Sequence, residues 1–276
     1  MSEIAFGAPE AFQLAEALIK KPLVWSRSVP TSSDTPVLTF VKFRSFVRAV
    51  KQYRSFVQLA KSGQWEDALV LARSLYELNL NLSEISCSPD PEHAARRFVK
   101  FGKFQHARLE QKRLEDALHD EDAKVQRSPK VISRCEQQLA TAVSALKRDF
   151  PEFRKPSGKG WLESWSGLTV EELAPRLAEK TGAQLGESDY YVFKLGSLFT
   201  HNAPGALFLG LPQDQEVADW KKYCAALDEK GRDGVQQFLY EASICFLDIV
   251  GIAGGSIVGY QKRWFDNVAI PLLKKF

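Results

Sequence analysis

The sequence predicts an all-α protein, a multi-helix bundle that opens on a long N-terminal helical hairpin. Three observations predict it. Apolar residues recur at helical spacing through several stretches of about twenty residues. Proline and glycine cluster between those stretches, and no run of alternating apolar and polar residues reads as a strand. The 276 residues are 45% hydrophobic and 26% charged, with 18 Phe and 6 Trp, enough apolar surface for a substantial core. Disordered and collagen-like readings are excluded on the same grounds.

From Pro36 to Lys61, Phe40, Phe43, Val47, Val50 and Val57 fall at helical spacing and no acid interrupts them, which predicts a long basic helix. Gly63 punctuates it. A second helix follows over Gln64 to Ile85 and stops before Ser88-Pro89-Asp90-Pro91, so the two form a hairpin. Pro91 suits a first-turn position and starts a third helix through Ala94, Phe98 and Phe101 toward Leu118. The charged run from His119 to Arg127 connects it to a fourth, which Ser128 and Pro129 open and which ends near Arg148.

Pro151 to Gly160 reads as a loop and as the boundary between N-terminal helical hairpins, 1–150, and a C-terminal helical half, 151–276, expected to pack on the first as one domain. Beyond it, Thr169 and Glu172 have capping-box spacing for a short helix to Glu179. Ser188 starts a helix that reaches His201, and others are expected at Gln213–Leu227, Gly231–Val250 and Gln261–Lys274. The apolar stretch from Phe238 to Tyr260 has the length of a membrane span, yet Glu241 and Asp248 on one stripe make it a buried core helix.

The net charge of +3 does not by itself imply nucleic-acid binding. The four cysteines are widely spaced and form no zinc pattern, and the N-terminus lacks a basic region followed by an apolar one. A reduced cytoplasmic protein without a membrane anchor is the expectation. No Walker loop, dinucleotide fingerprint, HExxH or GxSxG occurs, and the Glu-x2-His pair of a bundle metal site is missing, so neither metal nor cofactor is predicted.

Two polar stripes stand out. On the second helix, Arg73, Glu77, Asn81 and Glu84 fall at i, i+4, i+8 and i+11 among leucines. A charge on so apolar a helix must be paired, either in an Arg73–Glu77 ion pair that fixes structure or in a pocket for a ligand. Further along, Tyr190, Lys194, Ser197 and His201 share one helix face, which presents a phenol, an ammonium, a hydroxyl and an imidazole. In the catalytic reading, His201 is the acid and base, Arg73 the anion clamp and Glu77 the orienting carboxylate. Asn81, Tyr191, Lys194 and Ser197 then line the ligand site.

Arg44, Arg48 and Lys51 form a basic face on the first helix, flanked by Lys42 and Arg54, and suit contact with nucleic-acid phosphates. Arg96, Arg97, Lys100 and Lys103 make a second basic cluster. Either cluster also reads as an ordinary solvated helix face.

Arg73-x3-Glu77 in its leucine-rich helix, Phe98 and Phe101, Trp161 and Trp165, and Tyr191-x5-Ser197-x3-His201 resemble, in that order, a bacterial helical family of uncharacterised function. The resemblance covers Phe40 to Gly210. It implies a helical domain akin to the HEPN group of helical ribonucleases, with a role in phage defence or as a toxin, and RNA as partner. The Arg-x4–6-His signature of that group is met in letters by Arg113-x5-His119, a match that chance supplies readily, while no Arg stands at that distance before His201. The competing expectation is a non-enzymatic binding or scaffold protein, in which the polar stripes only fix helix register and exposed aromatics such as Trp220 or Trp264 meet a partner protein; in either reading the helical C-terminal half is expected to form a homodimer.

Overall fold

The computed structural model describes residues 12, 15–16, 18, 35–120, 128–181, 193–194, 196–200, 238–239 and 241–253. Among them the chain is helical, and the single strand-like feature is an isolated antiparallel bridge between Arg154 and Trp161. The residues fall into two compact units, one from 1–89 with 170–276 and the other Asp90–Thr169.

In the first unit, α1 (Val37–Lys61) and α2 (Trp65–Ser86) form the expected hairpin. The turn is three residues long because Gly63 takes a φ of 80°, a left-handed value that favours glycine. The amides of Ser62, Gly63 and Gln64 bond back to carbonyls of the last turn of α1. Helix α1 buries Val41, Phe46, Ala49, Tyr53, Phe56, Val57 and Ala60, a stripe that recurs about once per turn. Helix α2 buries Leu69, Ala72, Leu75, Tyr76, Leu80, Leu82 and Ile85, which lie around most of its circumference. It is the central helix of the unit. Both α5 (Val170–Thr181) and α6 (Gly196–Thr200) pack on it. Helix α5 carries Pro175 in its interior, a breaker that the Thr169–Glu172 capping signal did not reveal.

Residues 241–253 form a helix, α7, whose Glu241 and Ser243 are buried with its apolar residues. No helix among the described residues is long and apolar enough to cross a membrane. Phe246 of α7 stacks on Tyr53, with ring centroids 4.4 Å apart and planes 3° from parallel. Ser243 donates its hydroxyl proton to the Leu239 carbonyl, so the Tyr53 hydroxyl, 2.7 Å away, donates to Ser243. One helix turn on, the Asn79 amide approaches the Asp248 carboxylate at 3.4 Å. Expected helices at Gln213–Leu227 and Gln261–Lys274 lie outside the described residues, as do Trp220 and Trp264.

The second unit is a hairpin of α3 (Pro91–His119) and α4 (Pro129–Asp149). Asp90 caps α3 by accepting the His93 amide at 2.9 Å, with Pro91 in the first turn. Ser128 stands at the N-cap of α4 but its side chain makes no capping bond. The Pro- and Gly-rich segment 151–160 lies inside this unit. It forms a 3-10 turn, Pro151–Phe153, and folds back so that Leu162 donates to the Phe153 carbonyl at 2.8 Å. Its purpose is burial: Phe153 and Trp161 close on Phe101 and Phe104 of α3, with centroids 5.1 to 5.4 Å apart. Phe98 meets Trp165 edge to face at 5.6 Å, and Arg97 donates to the Trp165 carbonyl.

Burial pushes the Asp248 carboxyl up from 3.8 to about 6, partly offset by the Asn79 bond. Between those values the native protein holds a proton that the unfolded chain has released. The destabilising contribution therefore grows as pH rises and is complete above about 6. Asp248→Asn should accordingly stabilise the fold at pH 8, by up to ~3 kcal/mol at about 1.4 kcal/mol per pKa unit, with a raised Tm, and lose that advantage by pH 4. Thermal melts across this range check it, and a pH-independent difference would contradict it.

Candidate functional site

The polar seam of α2 is built by helix geometry and then closed by packing. Arg73 Nε donates to Glu77 Oε1 at 2.9 Å, one turn along, and the Asn81 amide donates to the Glu77 backbone carbonyl at 2.7 Å. Glu84 at the end of the seam pairs with Arg176 of α5. The side chain of Arg73 is only 15% exposed and that of Glu77 40%, so the ion pair lies inward at its cation and open at its anion. Above Arg73 lies the Phe193 ring, with the guanidinium carbon 4.8 Å from its centroid.

Gly196 brings α6 against this seam. A Cβ at that position would stand 2.8 Å from the Arg73 Cβ and 3.1 Å from the Leu69 carbonyl oxygen, so only glycine permits the approach. Ser197 follows it, half-buried. Residues 193 and 194 form a π turn, which breaks the α-helical register assumed for the second stripe. Lys194 is exposed and forms an ion pair with Glu171 of α5 at 2.6 Å. Tyr190, Tyr191 and His201 lie outside the described residues.

Of the predicted site, then, the structure brings Arg73, Glu77 and Asn81 together on α2, with Gly196 and Ser197 of α6 beside the same helix. Three buried atoms of the seam, Arg73 Nη1, Glu84 Oε2 and Arg176 Nε, find no hydrogen-bond partner among the described residues. Sequence reasoning missed Arg176, Phe193 and Gly196. For Gly196 a signal existed, since an isolated glycine in a helical pattern marks close backbone approach. For Arg176, 92 residues from Glu84, there was none.

A second buried group of polar residues joins α2 to α7. The Ser83 hydroxyl donates to Asn79 Oδ1 at 3.4 Å, opposite the Asp248 contact. Burial, reinforced by the nearby Asp248 and Glu241 carboxylates, pushes the Cys245 thiol well above its usual range. It stays protonated and is no nucleophile. Among the described residues no group of three or more His, Cys, Asp or Glu is placed to hold a metal ion.

On α1, Arg44, Arg48, Lys51 and Arg54 are all exposed, and α1 contains no acid. None of the four makes an ion pair among the described residues. The other basic cluster differs. Arg96 pairs with Glu92, Arg97 holds the Trp165 carbonyl and Lys100 pairs with Glu152, so three of its four cations are engaged within their own unit. Arg113 is likewise taken, gripping Glu110 through two bonds of 3.0 and 2.6 Å, while His119 is exposed at the last position of α3.

Residues 39–216 match the model of a family of unknown function, DUF5677. No curated protein and no solved structure matches the chain.

The closeness of α6 makes a sign prediction. In an open helix Gly→Ala is stabilising by up to about 1 kcal/mol. That is the expectation for Gly102 of α3, where a Cβ meets nothing within 4 Å. At Gly196 the clash reverses the sign, and Gly196→Ala should destabilise by about 1–3 kcal/mol. Denaturant titration of the two variants checks the contrast; equal effects would contradict the contact between α6 and α2.

Proposed function

We propose that this chain, which belongs to the family of unknown function DUF5677, is a nucleic-acid-binding protein that holds RNA on the outer face of α1. The observation that carries the reading is the exposed row Arg44, Arg48, Lys51 and Arg54 on a helix without a carboxylate. Cations already matched to acids gain little from a polyanion, because binding must first break the existing pair. Cations in water exchange only their counterions for phosphate, and the released counterions drive association. RNA is taken as the polyanion because the resemblance read from the sequence, to an uncharacterised helical family, implies kinship with helical ribonucleases.

A catalytic role rests on a different observation, the buried Nη1 of Arg73 that has no partner among the described residues. It sits beside a carboxylate open to solvent, and in this reading His201 supplies the acid and base while Arg73 holds the phosphate. Against it, the Arg73 Nε is already committed to Glu77.

Binding of a fluorescent single-stranded RNA to wild type and to the triple variant Arg44→Gln, Arg48→Gln, Lys51→Gln tests the first reading. The slope of log K against log salt should become shallower by about 2, at roughly 0.7 per lost phosphate contact. An unchanged slope would place the RNA elsewhere or nowhere. Incubation of the same RNA with wild type and His201→Ala tests the second: cleavage lost in the variant with binding retained supports it, and cleavage unaffected by the variant removes His201 from the mechanism.

A further inference from the structure

The second unit carries an open groove of about 830 Å³ along the outer side of α3, lined there from Phe101 to Lys112 and on the far wall by Gly160, Trp161, Leu162 and Glu163. At 1.5 Å per residue the α3 wall is about 16 Å long, three turns of a facing helix. The floor is apolar, built by Phe101, Phe104 and Trp161. Leu109 stands on it 65% exposed, far more than its chemistry favours. Gly102 opens the floor, since a Cβ there would meet nothing within 4 Å.

The charges on the α3 side of the rim are cationic. Arg108 donates to Gln111 and makes no ion pair among the described residues, and Lys112 is exposed beside it. The one carboxylate lining the groove, Glu163, is held by Lys155 at 2.9 Å. Trp161 already has Phe104 at 5.1 Å and the Arg154 guanidinium at 5.8 Å from its ring, so the groove offers apolar walls and edges in place of a stacking platform for a base.

We propose that this groove is a docking site for an acidic amphipathic helix of a partner protein, with apolar anchors on Phe101, Phe104, Leu109 and Trp161 and carboxylates at Arg108 and Lys112. Length, apolar floor and cationic rim select this occupant together. A helix in a groove presents anchors at i, i+4 and i+7, which three turns supply. The rim charges then choose acidic over basic helices and set the register.

The experiment measures fluorescence anisotropy of a synthetic three-turn helix carrying Leu at i, i+4 and i+7 and Glu on both flanks, titrated with the full chain. The same peptide with Lys for Glu is the control. The acidic peptide should bind at least about tenfold more tightly than the basic one. Gly102→Leu, which fills the groove, should weaken binding by about tenfold or more, as should Arg108→Glu combined with Lys112→Glu. Leu109→Glu provides a second block should Gly102→Leu fail to fold. Equal affinity for the two peptides, binding indifferent to the blocking variants, or a homouridine oligonucleotide that loses its binding in Gly102→Leu would overturn the proposal.

Discussion

Everything in the first unit depends on burying α2. Its apolar side chains face α1, α5 and α6, so a polar group on it has little water to turn to and must be satisfied by protein. The consequences run outward from there. Asn79 is paired across to α7, Glu84 draws in Arg176 from α5, and Arg73 is flattened between Glu77 and the Phe193 ring. Helix α6 reaches this seam only because position 196 has no side chain. Helices α5 and α7 are thus aligned on α2 by a polar contact as well as by shape, which fixes register in a way that leucines alone do not.

The same requirement sorts the charges by what they can do. A cation removed from water has its attraction spent on the group that compensates it; recruiting Arg73 for an incoming phosphate means weakening its bond to Glu77 in a place of low dielectric. A cation left in water keeps its field for a partner. The face of α1 is of this second kind, whereas most of the cluster at Arg96–Lys103, though largely exposed as well, is engaged by carboxylates or a backbone carbonyl; the two read alike as strings of Arg and Lys. What distinguishes them is the presence of Glu92 and Glu152 within reach of one and the absence of any acid on the other's helix.

Much of the fold was legible in the sequence because helices are local objects. Pro36, Gly63, Ser88-Pro89-Asp90-Pro91 and Ser128-Pro129 mark ends that the structure places within a residue or two, and the Arg73–Glu77 pair is a consequence of i, i+4 spacing. What could not be read depends on how elements meet. Lys194 turns to Glu171 across 23 residues because a π turn alters its register, and nothing in the spacing of Tyr190, Lys194 and Ser197 announces that turn. The aromatic cluster of Phe101, Phe104, Phe153 and Trp161 assembles from three stretches that look unremarkable apart, and it makes the segment expected to be a bare loop part of a core.

That core also explains why the second unit has a groove. Two helices side by side bury only a seam, and α4 contributes a single fully buried residue, Leu146. The unit gains the rest from the chain after α4, whose 3-10 turn and Arg154–Trp161 bridge lay Phe153 and Trp161 over α3. This cover is short and α3 is 29 residues long. Where the cover stops, at Trp161 to Glu163, the apolar face of α3 continues past it to Leu109, which is left in water. The groove is therefore set by a mismatch of lengths: a helix longer than its aromatic cover exposes its next apolar turn at the cover's edge, beside the cations Arg108 and Lys112 that keep it hydrated.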